Sequence, residues 1–272
     1  REDLRSQDLI VGPAIVQDDY STVYIEANWE AVVHPNETLF LSALDRDDTE
    51  RERNSQRDQL VEEELFTHRF ENLVSEMGSQ LERTAVSTNV KDRLDFSCAL
   101  LDSDGELIAN APHIPVHLGA LGSCTRILAS QFSLKAKDVI VTNHPGFGGS
   151  HLPDVTVVSP VFDQENHLVG YVANRAHHAE LGGIRPGSMP PDAKNLEEEG
   201  VVISPSYLFK EGNAQWAEIE AILTGARFPT RALNDNLADL RAQAAANLKG
   251  VHTLQSLCQL HGSDTIRRQM HQ

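Results

Sequence analysis

Cysteine is scarce in this 272-residue sequence: Cys98, Cys124 and Cys258 are its only three. They are odd in number, far apart and form no CxxC pair. That excludes a disulfide framework and a zinc ribbon, and it fits free thiols in a reducing, cytoplasmic compartment. Buried structural thiols are expected rather than catalytic ones. Positive charge is also in short supply. Twenty-three Lys and Arg stand against 40 Asp and Glu, a net charge of −17. Such a surface repels nucleic acid and anionic membranes, so neither is expected as a partner. No apolar run reaches the ~18 residues that span a bilayer, and no secretory signal is present. Internal repeats and low-complexity tracts are missing. So are GxxxxGK[ST] and GxSxG, which leaves the chain without a phosphate cradle of its own.

What is present is a 40% apolar content, enough for a sizeable core. Short apolar runs at 9–11, 14–16, 22–25, 31–33 and 38–41 alternate with turn residues and predict a small β module over 1–44. So few residues cannot bury all its apolar faces. Residues 45–58 are charged and nearly free of apolar side chains; they read as a linker, with a solvated helix start as the alternative. Leu65, Phe66, Phe70, Leu73, Met77 and Leu81 then recur at three- and four-residue steps, which predicts a helix with one apolar stripe and Met77 in the core. A hairpin is expected at 94–109 around Ser103-Asp104-Gly105, a helix near 118–132, and a strand at 139–141. The Ala-rich stretch from Asp235 to Lys249 predicts helix, punctuated by Gly250 and Gly262. The order of elements makes the fold class α+β, with antiparallel hairpins and C-terminal helices after the N-terminal β module. Arg1 in place of an initiator Met, and an unfinished helical pattern at 267–272, read as a fragment of a larger polypeptide.

The chemistry is concentrated in Asn143–Asp154 and Arg175–Gly183. The segments 154–162 and 167–175 flank a polar turn and predict an antiparallel hairpin. If Phe162 opposes His167, Asp154 opposes Arg175, and His177 lies two residues on, on the face of Asp154. His151 sits at the same open end, and His178 points to the other face. A slip of one residue would exchange the two histidines. Pro160 implies an edge strand or a bulge. Two imidazoles and a carboxylate suit Zn²⁺, Mn²⁺ or Fe²⁺ with positions left for water or substrate; a satisfied polar cluster is the competing reading. His113 and His117 fall on one side of an extended segment. They are candidates for substrate binding or proton transfer, and equally for capping the next helix. Arg93 could clamp a substrate carboxylate, although surface ion pairs are the default around Asn89–Asp95. Gly146, Gly148 and Gly149 permit close backbone approach, and the Gly- and Pro-rich 182–191 predicts a pocket-shaping loop.

Five stretches resemble one family: Ser87–Leu100, Ala111–Gly119, Gly148–Thr156, Ala176–Pro191 and Asn236–Gln243. Together they span roughly residues 60 to 272. The sequence is similar to the ATP-dependent 5-oxoprolinase and hydantoinase B family, which includes the large subunits of acetone-type carboxylases. Residues 9–43 look like the tail of a hydantoinase A portion, so the chain would straddle the junction of a fused A–B polypeptide. The resemblance implies that 59–272 is the N-terminal part of a hydantoinase B-like catalytic domain, with His151, Asp154 and His177 as metal ligands. It suggests His117 and His178 as catalytic proton carriers, and Arg93, Asp95, His113, Gly148 and Gly149 as substrate contacts. It further implies an absent A portion that uses ATP with Mg²⁺ to phosphorylate a lactam oxygen. Water attack in the B portion would then open 5-oxo-L-proline to L-glutamate, within glutathione metabolism. The intact protein would be a homo-oligomer. A ketone carboxylase and a non-catalytic assembly segment are the rival readings, and the fragment alone is expected to be inactive.

Overall fold

The computed structural model describes residues 4–18, 21–36, 38–44, 48–111, 114–187 and 189–271, without the side chains of 48–58, Pro115, Val116 and Leu118. His113 therefore lies outside the described residues. The chain divides into two compact units, Arg1–Glu62 and Glu63–Gln272.

The first unit holds five strands: β1 (Leu9–Val11), β2 (Ala14–Gln17), β3 (Thr22–Ile25), β4 (Trp29–Val33) and β5 (Leu39–Ala43). β1, β4 and β5 form one antiparallel sheet, and β2 pairs with β3. The core is small, built on Val16, Ile25 and Ala31. Leu9, Val11, Ile15, Tyr24 and Phe40 remain exposed, as expected for a module too small to cover its own apolar faces.

α1 runs from Asp48 to Thr84. The charged stretch is therefore helical from Asp48 onward rather than an irregular linker. Its Glu, Arg and Gln are good helix formers, and no Pro or Gly interrupts it before Gly78, so high charge here is compatible with helix. The expected stripe is buried at Phe66, Phe70, Leu73, Met77 and Leu81, whereas Leu65 is exposed.

The second unit is organised on a seven-stranded antiparallel sheet, ordered β12-β11-β8-β9-β10-β6-β7. These are β6 (Phe96–Asp102), β7 (Leu107–Ala111), β8 (Val139–Thr142), β9 (Asp154–Phe162), β10 (Leu168–His177), β11 (Ser206–Lys210) and β12 (Asn213–Ala214). The helices are α2 (Thr88–Lys91), α3 (Pro115–Gln131), α4 (Leu196–Glu199), α5 (Trp216–Gly225), α6 (Leu233–His261) and α7 (Ser263–Met270). The C-terminal part of α1 packs with α6 and α7 on one face through Cys98, Leu100, Val161 and Val172. On the other face α3 packs on Ala99, Leu101, Ile140, Val158 and Ala173. The central strands are covered on both sides and read as near-continuous apolar runs for that reason. The fold is the α+β class expected from the order of elements.

Two details differ from the sequence reading. Gly250 lies inside α6 rather than ending a helix; a Cβ there would run into the Met77 side chain and touch Val172. The helix tolerates Gly at that point because α6 approaches α1 and β10 closely. Pro160 lies in a strand that is interior to the sheet, yet β8 pairs with β9 only at Thr156–Val158. At Pro160 that side of β9 has no ladder partner, so the missing N–H costs nothing.

Candidate metal centre

The β9–β10 ladder sets the site. Phe162 pairs with Leu168, a bulge follows between Leu168 and Gly170, and the register then runs to Arg175 opposite Thr156 and His177 opposite Asp154. The expected pairing of Asp154 with Arg175 is thus off by two residues. One comes from a longer turn and one from the bulge. Two single-residue shifts restore the side-chain parity, so His177 still shares the face of Asp154, the face covered by α3.

His151 reaches the same point from the loop before β9. Leu152, fully buried, pins that loop. Asn143 ties it down as well: its Nδ2 donates to the Leu152 and Val201 carbonyls at 2.7 and 2.9 Å, and its Oδ1 accepts from Ile203 N–H at 2.7 Å. Gly148 adopts φ 83°, and a Cβ there would come within 2.8 Å of the Cys124 backbone. Its carbonyl accepts from Arg175 Nη2 at 2.7 Å.

The result is a triangle of donor atoms. His151 Nε2 lies 3.1 Å from Asp154 Oδ1, His177 Nδ1 lies 3.2 Å from the same oxygen, and the two nitrogens are 3.2 Å apart. Asp154 Oδ1 is buried and has no hydrogen-bond partner of good geometry. Metal bonds of ~2.1 Å at right angles place neighbouring donors about 3 Å apart. The orphaned oxygen and the triangle's edges therefore fit a divalent cation. Burial alone would raise the pKa of Asp154; the surrounding His117, His151, His177 and Ser150 reverse this and hold the carboxyl well below the usual range. Asp154 also raises the pKa of His151, against the effect of burial. The His151 side chain keeps 27% of its surface exposed against 4% for Asp154, so the triangle opens toward solvent on that side.

The other expected site residues separate into near and far. His117 lies in the first turn of α3 rather than on an extended segment. Its Nε2 is 3.3 Å from Asp154 Oδ2 and its Nδ1 is 3.2 Å from Ser97 Oγ. Asp95 Oδ2 sits 3.7 Å from His177 Nδ1. Arg93 is exposed, with Nη1 3.4 Å from Asn89 Oδ1. Gly148 and Gly149 shape the loop backbone. His178 is fully buried on the opposite face. Its nitrogens meet Asn236 Oδ1 at 3.1 Å and Gln243 Oε1 at 3.0 Å. Those amides are themselves fixed, because Gln243 Nε2 donates to the Val155 carbonyl and Asn236 Nδ2 to the Glu180 carbonyl, both at 2.8 Å. Both ring nitrogens are thus held between the sheet and α6, away from the open triangle.

Sequence reasoning missed Ser97, Ser150 and Arg175. Arg175 is fully buried, with Nε donating to Thr156 Oγ1 at 2.8 Å. A cation inside an apolar strand was the available signal, since buried arginine is rare unless its donors are placed. Ser150 donates its hydroxyl to Asp154 Oδ2. Serine four residues before a carboxylate carries no signal of its own.

Fold and site together define a hydantoinase B-type domain. The family model "Hydantoinase B/oxoprolinase" matches residues 59–272. The chain belongs to that family. It is 42% identical over 279 residues to 5-oxoprolinase of Saccharomyces cerevisiae, a match covering 99% of this chain and 22% of that protein. Among solved structures it resembles the ATP-dependent caprolactamase of Pseudomonas jessenii, with TM-score 0.69, 31% identity and coverage of 77% of this chain and 36% of that one. A nucleotide-free acetone carboxylase shares the fold at TM-score 0.70 and 18% identity, over 79% of this chain and 28% of that one. The chain spans about a fifth of the length of the curated relatives it matches first. Among the described residues, no helix is long and apolar enough to cross a membrane.

Proposed function

We propose that this chain supplies the hydrolytic site of an ATP-dependent cyclic-amide hydrolase that opens 5-oxo-L-proline to L-glutamate. The observation that carries the reading is the convergence of His151, Asp154 and His177 on one ion-sized space. The similarity to 5-oxoprolinases over nearly the whole chain supports the substrate class. Residues 1–44 are assigned to the tail of a hydantoinase A-like portion and 59–272 to the start of the B portion. The ATPase work, with ATP and Mg²⁺, belongs to the former outside this chain.

In this scheme ATP phosphorylates the lactam carbonyl oxygen and makes the carbonyl carbon electrophilic. Water adds to that carbon, the C–N bond opens with nitrogen taking a proton, and a second water releases the phosphate. A divalent cation (Mn²⁺, Zn²⁺ or Fe²⁺) held by the three side chains supplies Lewis acidity. Asp154, kept ionised by its neighbours, holds the negative charge of the ligand set. Asp95, with its side chain 31% exposed beside His177, accepts the proton that attacking water gives up at Oδ2. The protein is assigned to the cytoplasm, in keeping with its free, buried thiols.

The test uses the intact protein with 5-oxo-L-proline and ATP. Glutamate and ADP should form together without bicarbonate, should not form with protein stripped of metal beforehand and assayed with Mg²⁺ in excess, and should return with Mn²⁺ or Zn²⁺. Bicarbonate-dependent consumption of a small ketone would instead identify a carboxylase. A purified protein free of metal and indifferent to chelators would identify an assembly segment.

A further inference from the structure

The two oxygens of Asp154 have different surroundings. Oδ1 is buried without a hydrogen bond and faces His151 and His177. Oδ2 accepts the Ser150 hydroxyl and lies 3.3 Å from His117 Nε2. His117 is in turn held by Ser97, whose Oγ is 3.2 Å from its Nδ1, and is almost fully buried. Neither Ser150 nor His117 belongs to the triangle. Both occupy the one oxygen of Asp154 that the triangle does not use.

We propose that Ser150 and His117, the latter backed by Ser97, are positioning residues that hold Asp154 to a single-oxygen mode and thereby set which cation the site accepts. The inference rests on the metal reading of the triangle. A carboxylate with one oxygen occupied presents one donor, which suits ions that take few, directional N and O ligands. Calcium favours more oxygens and readily takes both from one carboxylate. Freeing Oδ2 should therefore weaken the fixed geometry for Mn²⁺ and make the site more permissive to Ca²⁺. His117 is accordingly assigned to ligand orientation rather than to carrying protons in turnover: both of its nitrogens are engaged within the protein.

The experiment measures Mn²⁺ binding to the intact, metal-free protein from the resonance signal of free Mn²⁺, and Ca²⁺ by competition. Ser150→Ala and His117→Ala should each weaken Mn²⁺ about 10- to 100-fold, the usual effect of removing a partner that orients a ligand. Ca²⁺ should weaken much less, so the preference between the ions narrows. Ser150→Thr and His117→Gln, which keep a donor toward Oδ2, should restore most of the preference. Equal loss for both ions, or unchanged Mn²⁺ affinity, overturns the proposal. So does failure of the donor-keeping variants to recover the preference in folded protein. If His117→Ala does not fold, Ser150→Ala and Ser150→Thr decide alone. Wild-type protein that binds none of Mn²⁺, Zn²⁺ and Fe²⁺ overturns the metal reading itself, an outcome seen before any variant is compared.

Discussion

Asp154 and His177 are direct partners across the β9–β10 ladder, and their side chains meet with Oδ1 3.2 Å from Nδ1. Two of the three converging donors are thus fixed by the terminal pair of the two central strands of a sheet covered on both faces. The third, His151, comes from a loop and is the more exposed of the three. Rigid strands set the distance, and the loop leaves the opening.

That division of labour separates metal loss from unfolding. His151→Ala should abolish stoichiometric Mn²⁺ or Zn²⁺ binding and ATP-coupled turnover of the intact enzyme. The side chain keeps 27% of its surface exposed, so the metal-free protein should lose less than about 1 kcal/mol of stability, as for most partly exposed positions. Elemental analysis and a melting curve of the metal-free protein check both halves. Retained metal with retained activity would remove His151 from the site.

Gly148→Ala should damage the loop rather than the ligands. Position 148 has φ 83°, and a Cβ would sit 2.8 Å from both N and Cα of Cys124. The left-handed conformation alone costs roughly 1–2 kcal/mol for a residue with a Cβ, and α3 backbone cannot yield as a side-chain tip would. The expected loss is about 2–4 kcal/mol, read as a lower denaturation midpoint. Weaker metal binding should accompany it, because Gly148 also receives Arg175 and precedes His151. A neutral substitution would show that the loop sits further from α3.

The three thiols should be inert in the native protein. Cys98, Cys124 and Cys258 are all buried. Burial pushes the Cys124 thiol up to about 11, even though Arg175 beside it acts in the opposite direction. Burial likewise raises Cys98 and Cys258. Thiolate is the reactive form, so a thiol reagent at pH 8 should label none of them quickly, and all three after denaturation. Rapid native labelling of Cys124 would mean that Arg175 outweighs burial.

Much of this arrangement was legible in the sequence where a period was long and clean. The stripe from Phe66 to Leu81 and the runs on either side of 163–166 gave the helix and the hairpin that organise the second unit. The meeting of Asp154 with His177 followed from alternation alone, and it survived a two-residue error because parity matters more than register. What could not be read was tertiary. Gly250 looks like a helix stop until the helix beneath it is known. β11, β12 and α5 depend on the edge offered by β8. The different tasks of His117, beside Asp154, and His178, sealed between two amide oxygens, follow from neighbours 37 or more residues away in sequence. The charged stretch after residue 47 shows the converse limit: composition alone does not separate a solvated helix from a linker.

Glu180 offers a test by pH. Its Oε1 accepts from Gly182 N–H at 2.9 Å and Arg231 Nη1 at 2.6 Å; its Oε2 accepts from Thr230 Oγ1 at 2.8 Å and Arg231 N–H at 2.7 Å. Burial would raise its pKa, but these donors outweigh burial and hold the carboxyl below its ordinary value. The unfolded chain therefore takes up a proton at higher pH than the folded one. The stabilisation is complete above the unfolded value of ~4.3 and is lost as pH falls through the folded one. Glu180→Gln keeps the shape but turns one acceptor into a donor facing donors. It should cost ~2 kcal/mol at pH 7, typical of lost charge-assisted bonds, and the gap from wild type should shrink as pH falls below ~4. Urea denaturation of both proteins at the two pH values measures it. A gap independent of pH would mean that the carboxylate charge contributes nothing, and that the fastening of the 180–183 segment to Thr230 and Arg231 depends on shape alone.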